Sequence, residues 1–275
     1  MANLRSKNRY YIKDSIVPFE EDSRCEFKGH RNFCAEEIPD WCWIPGTDRR
    51  SRKAVSRNIN AFLNNGKGGS IYIGLTDEGN VKGISLSQYQ RDHIVVSMRD
   101  LMSRYTPQVP DDSFKVEFVP IIQKSEVWNS DSSQFTVEKG DQLDPDRLKP
   151  HLLRTPHYCW CDKMALAQYA EGILSREYVI EITIFPYTEK PLSLVDGKFC
   201  LNLHPVYEDE ERNCFFRRQA SVVKYTKAEI VELTVHDVQH FFMPVLQKLR
   251  KEVESLREDM DSKSWTVTPD NQNNP

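Results

Sequence analysis

Residues 61–83, Ala61-Phe-Leu-Asn-Asn-Gly-Lys-Gly-Gly-Ser-Ile-Tyr-Ile-Gly-Leu-Thr-Asp-Glu-Gly-Asn-Val-Lys-Gly83, decide the fold. They read as a helix end, a glycine turn, a buried strand over residues 70–75 that leads to Asp77, and a tight turn. The Gly68-Gly69 pair lets the backbone bend sharply into that strand, because glycine alone carries no Cβ penalty there. Residues 81–84 are predicted to pair back across a turn at 76–80, with Gly79 as its permissive position.

Upstream, Glu21-Asp22-Ser23-Arg24-Cys25-Glu26-Phe27-Lys28 alternates like a half-buried strand. Cys25 and Phe27 fall on one face, Glu26 and Lys28 on the other. Glu21, Glu26 and Asp77 can then meet at neighbouring strand ends. Such an oxygen-rich group suits Mg²⁺ or Mn²⁺. An ion of that kind activates water or stabilises charge growing on a phosphodiester, and Lys28 offers a second positive charge beside it. One condition applies. On an ideal strand i and i+5 point to opposite faces, so Glu21 must lie in the turn before the strand, or a bulge must intervene.

The chain of 275 residues has 39% hydrophobic and 28% charged residues, an ordinary globular composition. No apolar run reaches the ~18 residues a bilayer span needs, and the N-terminal segment is polar, so no membrane association and a cytoplasmic or nuclear location are expected. Seven cysteines at irregular spacing are not a disulfide framework. Net charge is −4, which argues against general polyanion binding. Yet Arg49, Arg50, Arg52, Lys53 and Arg57 crowd one short stretch. They form either a local phosphate-binding surface or a solvated helix face.

Around this centre the sequence predicts an α+β fold, a mixed sheet flanked by helices in a single lobe over residues 16–235. A segment at 1–15 precedes it. Thr47 or Asp48 caps a helix with Val55, Ile59, Phe62 and Leu63 inward, ended by Asn65-Gly66. A helix over 86–105 turns Ile94, Met98, Leu101 and Met102 inward, and a strand covers 114–122. Residues 123–150 read as a surface insertion. Strands follow at 178–185, 198–203 and 214–218, then a short helix at 226–233. A terminal helix within 236–265 repeats Leu246, Leu249, Val253, Leu256 and Met260 at three-to-four spacing, before a disordered tail at 266–275.

These motifs, in this order, resemble the core of the Schlafen family, an Alba-like divergent domain. Carrying the resemblance are Glu-x4-Glu-Phe-Lys at 21–28, the Asn-Ala-Phe-Leu-Asn helix end, the glycine-strand-Asp segment at 68–83, and Phe216-Arg217-Arg218-Gln-Ala-Ser221-Val with Thr226-Lys-Ala-Glu229-Ile. The resemblance implies a metal-dependent endoribonuclease acting on structured or precursor small RNA. Glu21, Glu26 and Asp77 would hold Mg²⁺ or Mn²⁺, with Lys28 beside the phosphate. Arg49, Arg50, Arg52, Lys53, Arg57, Arg217 and Arg218 would grip the RNA backbone. Where the family often has a second acid, this chain has Thr76.

The resemblance also implies a structural zinc. His157 and Cys159 match its first half, with Cys161 near, but no cysteine pair follows where the family has one. Cys161 with Cys200 or Cys214 completes the set, or these are buried thiols. Trp41 and Trp43 stand in a long connection, either stacking on bases or packed in the core. Long family members clamp RNA between two lobes. A single lobe implies self-association or a related subunit, and the alternative reading is a non-catalytic nucleic-acid-binding subunit of such a complex.

Other readings fail on pattern. Asn65-Gly-Lys-Gly-Gly-Ser70 lies between a helix and a strand, the reverse of a phosphate loop, and Lys67 is followed by glycine. No histidine has a partnered serine or cysteine at suggestive spacing, and His236 with His240 lacks a third ligand.

Overall fold

The computed structural model describes residues 9–47, 49–124, 145–188, 192–195, 198–201 and 203–264. The chain divides into two compact units, Met1–Lys224 and Tyr225–Pro275. The first is built on a mixed six-stranded sheet of β1 (Tyr11–Ile12), β2 (Cys25–Lys28), β3 (Gly69–Ile73), β4 (Ile84–Ser85), β5 (Phe114–Ile122) and β6 (Glu177–Ile184). Its order is β1-β5-β6-β3-β2, with β4 also on β6. The outer pairs, β1 with β5 and β2 with β3, are parallel, while β3, β4 and β5 all run antiparallel to β6. With helices α1 (Ser56–Asn64), α2 (Gln88–Ser103) and α3 (Trp160–Ala170), this is an α+β architecture. Two hairpins complete the unit: β7 (Leu192–Val195) with β8 (Lys198–Leu201), and β9 (Cys214–Arg218) with β10 (Ser221–Tyr225).

Strand alternation divides the core. On one sheet face Ile71, Ile73, Ile180, Ile182 and Ile184 pack with Ile59 and Phe62 of α1 and with Ile94, Met98 and Leu101 of α2. Each such side chain taken out of water contributes ~1.5–3 kcal/mol. On the other face Phe27, Leu75, Val81 and Val179 join Val17 and Ile121. Ser87 caps α2 through a reciprocal capping box with Gln90.

Gly68 has φ +66 and its missing Cβ would fall 2.4 Å from the Ile184 carbonyl oxygen, which explains the glycine turn into β3. The return after Asp77 is slighter than expected. Leu75 and Val81 form a single bridge, and the chain then leaves β3 to pair with β6.

Two helices differ from the sequence reading. The helix expected from Thr47 or Asp48 begins only at Ser56. Before it Trp43 is bridged to Arg50 and the Thr47 hydroxyl accepts the Arg49 N–H, while Asp48 lies outside the described residues. Helix α3 was not anticipated at all. Of its apolar residues only Cys161 is buried, so they make no inward stripe for a periodicity argument to find.

Among the described residues the second unit is one helix, α4 (Lys227–Ser264), which carries Pro244 inside it. A short helix and a separate terminal helix were expected. They are one, because an interior proline forfeits one backbone hydrogen bond without forcing the helix to stop. No helix among the described residues is long and apolar enough to cross a membrane. Most of the expected insertion and all of the expected tail lie outside the described residues.

Candidate nucleic-acid site and metal-ligand group

The Asp22 carboxylate accepts the backbone N–H groups of Arg24 and Cys25, each at 2.7 Å, and so turns the chain into β2. Glu21 therefore stands before the strand and folds back along it. Its Oε1 accepts the Phe27 N–H at 2.7 Å, six residues on. This is the turn geometry that convergence with Glu26 requires.

Glu26 pairs in register with Ile71, on the sheet face covered by α1. It is 7% exposed and surrounded by donors. Lys28 Nζ and Asn58 Nδ2 donate to Oε1, and Arg217 Nη1 donates to Oε2. The Arg217 guanidinium is fully buried and gives its other protons to the carbonyls of Asp22 and Cys25, at 2.7–2.9 Å. It also lies over the Phe62 ring. Phosphate has no access to Arg217 in this arrangement. The side chain fastens β9 to the start of β2 and neutralises Glu26.

What carries Arg217 to that point is a row of asparagines on α1. Asn60 accepts the Phe215 N–H at 2.6 Å and donates to the Tyr207 carbonyl. Asn64 donates to the carbonyls of Tyr207 and Phe215 and accepts the Tyr207 N–H. Asn65 both accepts from the Arg217 N–H and donates to its carbonyl. Side-chain amides thus serve β9 as a neighbouring strand would, satisfying backbone groups that burial would otherwise penalise. Sequence reading missed these roles, although Asn58, Asn60, Asn64 and Asn65 on an otherwise buried helix face were the visible signal.

Asp77 is exposed in the turn after β3. Burial raises the Glu21 carboxyl above its ordinary range, and the negative charges of Glu26 and Asp77 push it further, against the Phe27 N–H and Lys28. The three acids and Lys28 therefore share one electrostatic neighbourhood. The acids do not form a tight ligand group as they stand. The tight ligand group among the described residues lies elsewhere.

The basic residues separate into three kinds. Arg49 and Lys53 are exposed, as is Arg218. Arg50 and Arg52 stack on the indoles of Trp43 and Trp41, at 4.1 and 4.7 Å from the ring centroids. Arg57 pairs with Glu211 at 3.3 Å and lies over Phe215. Trp41 is 66% exposed, so it is a surface platform. Trp41 and Arg52 line a cleft of about 690 Å³ together with Arg31, His157 and Tyr158. His30, between Lys28 and this cleft, is lowered to about 4 by burial and by the charges of Arg52 and Lys28. It is neutral near pH 7.

Beside the cleft stand His93 of α2, His151, and Cys159 and Cys161 at the start of α3. One ligand atom from each lies within 4.8 Å of every other. Cys159 Sγ is 3.7 Å from His151 Nδ1, and Cys161 Sγ is 3.7 Å from His93 Nδ1. Tetrahedral zinc with bonds of about 2.3 Å to sulfur and 2.0 Å to nitrogen separates such atoms by roughly 3.5 Å, so the donor set fits zinc. Burial lowers His93 to about 4, helped by the Arg31 charge, and burial also lowers His151, so both rings are neutral donors. Burial, with Asp162 and Cys159 adjacent, pushes Cys161 up to about 12. An ion must displace that thiol proton to bind.

His157 is exposed and outside this group, and buried Cys214 belongs to β9. Cys200 lies in β8, with its side chain outside the described residues. His93 and His151 went unread because histidines 58 residues apart carry no spacing signal; the fold alone joins them.

The family model described as Schlafen, AlbA_2 matches residues 21–226, well over half of the chain. The match opens on Glu21 and ends just before α4.

Proposed function

The chain belongs to the Schlafen, AlbA_2 family, and on that premise we propose that it is a divalent-metal-dependent endoribonuclease acting on structured or precursor small RNA. Membership by itself supports a nucleic-acid-related role. What supports the finer reading is the shared electrostatic neighbourhood of Glu21, Glu26, Asp77 and Lys28 at one end of β2 and β3.

In this reading Glu21, Glu26 and Asp77 hold Mg²⁺ or Mn²⁺, which supplies an activated water and charge neutralisation at the phosphodiester. Lys28 keeps its ammonium against Glu26 until phosphate arrives, then offers it to the anion. Arg217 acts through Glu26, holding that carboxylate in place and leaving a lone-pair direction of Oε2 for the cation. Arg49, Lys53 and Arg218 present charge to the RNA backbone, while Trp41 and Trp43, with Arg52 and Arg50 stacked on them, offer faces to unpaired bases. His93, His151, Cys159 and Cys161 hold a structural zinc that joins α2 to α3.

One observation favours a second reading, a nucleic-acid-binding subunit without its own chemistry. Both Glu26 oxygens are already bonded to protein cations. The two readings part on one measurement: cleavage of a panel of small RNAs with Mg²⁺ or Mn²⁺, wild type beside Glu26→Gln. Nuclease activity predicts cleavage by wild type, none by the variant, and RNA binding by both. Binding without cleavage by either chain selects the second reading.

A further inference from the structure

We propose that α4 is the dimerisation element of this protein, a parallel, in-register two-stranded coiled coil formed with a second copy of the chain. The inference stands on α4 alone and holds whether or not Glu26 binds a metal.

Because residues 227–264 are one unbroken helix, its apolar repeat runs back past Pro244 to Val235. With Leu246 at heptad position a, the d positions are Val235, Phe242, Leu249 and Leu256, and the other a positions are Gln239, Val253 and Met260. Only Gln239 among these is polar. The repeat period is therefore 3.5, that of a supercoiled seam, sustained for nearly four heptads. Pro244 falls at f, on the outer face, where its ring meets no partner. From Leu246 onward the seam residues are between 48% and 72% exposed. A helix of about 57 Å gains most of its stability from burying such a stripe. Val253 at a between Leu249 and Leu256 at d is the pattern that favours two strands.

Orientation follows from the polar positions. In a parallel, in-register pair Gln239 faces its own copy, and two amides satisfy each other. Glu252 at g reaches Arg257 at e of the partner copy, and the reverse pair forms by symmetry. Turning one helix around with the seam fully overlapped sets Gln239 against Leu256. It also sets Glu252 against the apolar flank Val245, taking it away from Arg257. Antiparallel pairing thus strands every polar group that parallel pairing satisfies.

The test uses the full chain. Light scattering after size exclusion is expected to give a dimer for wild type and a monomer for Leu249→Asp/Leu256→Asp, with near-ultraviolet circular dichroism unchanged. Leu256→Cys should form an intermolecular disulfide under mild oxidation, above the wild-type background. Antiparallel overlap would leave those two positions ~26 Å apart, far beyond disulfide reach. Glu252→Arg should weaken the dimer, and adding Arg257→Glu should restore it. A monomeric wild type, a dimer that survives both aspartates, or a dimer without the Leu256→Cys cross-link would each overturn the proposal.

Discussion

The acids at 21, 26 and 77 and the Cys/His group at 93, 151, 159 and 161 are both made of side chains that bind metals, and they balance charge in opposite ways. Glu26 is neutralised from within, by Arg217 and Lys28. The Cys/His group has no such cation bonded to its sulfurs. Burial lowers its histidines and raises the Cys161 thiol, so these three side chains carry no charge of their own near pH 7. Glu26 already has protein cations on both oxygens, whereas the Cys/His group, in the proposed zinc reading, takes its balancing charge from an ion. A set of metal-ligating residues is therefore read best by asking what already satisfies it.

The severest way to break this comparison is Arg217→Met. Removing one partner of a buried ion pair leaves an uncompensated carboxylate and typically costs ~3–5 kcal/mol. Here the carbonyls of Asp22 and Cys25 lose their donors too. Urea denaturation should show a loss of that size, and Glu26→Gln added to it should recover part, since the stranded charge goes with it. A loss under about 1 kcal/mol, the range of exposed pairs, would mean that Glu26 is not balanced from within.

The second region is tested by metal removal. Purified chain should contain one zinc, and chelation should lower its unfolding free energy. A free zinc concentration a hundred times the dissociation constant adds about 2.7 kcal/mol. Cys159→Ser should abolish that gain while barely changing stability in chelator. Because binding releases thiol protons, the gain should also shrink as pH falls. A wild type indifferent to zinc would leave the four residues as a packed polar cluster.

The same contrast explains what the sequence disclosed. Glu21, Glu26 and Lys28 lie within eight residues, and Asp77 follows a strand whose glycines and isoleucines announce it, so local pattern sufficed. β5 was legible to the residue because Phe114 to Phe118 alternate and an apolar run carries the strand on to Ile122. The basic stretch at 49–57 left a phosphate-binding surface and a solvated helix face equally open, since arginines that lie on tryptophans carry the same charge pattern as arginines on a helix. Arg217 looked like a surface grip for a related reason: nothing in Phe-Phe-Arg-Arg says which arginine turns inward until α1 is packed against β9. Residues joined only by tertiary folding, His93 with Cys161 or Asn64 with Tyr207, were beyond any reading of spacing.

Glu37, which lines the cleft beside His93, gives a smaller effect. Burial raises its carboxyl to about 7, only partly opposed by the Phe33 N–H and the Cys34 thiol. The folded protein therefore favours the protonated form. That stability is fully present below about pH 4.5 and is lost as pH rises through about 7. Between pH 5 and 8 the wild type should lose roughly 2–3 kcal/mol that Glu37→Gln retains, read as the difference between their urea midpoints. Equal slopes for the two proteins would show the carboxyl to be ionised in the fold throughout.

The smallest change in stability should come from the segment that separates the acids from α1. Arg50 on Trp43 and Arg52 on Trp41 are surface stacks, each worth ~0.5–1 kcal/mol, so Trp41→Ala should barely move the unfolding midpoint. Its effect on RNA should be the larger one, because a base stacked on an aromatic ring contributes ~1–3 kcal/mol. The ratio is the informative quantity. A variant that folds like wild type but binds single-stranded RNA five- to a hundredfold more weakly assigns the indole to the ligand. A variant with unchanged affinity returns Trp41 and Arg52 to the role of a brace for the turn, and moves the RNA path toward Arg218 and Lys28.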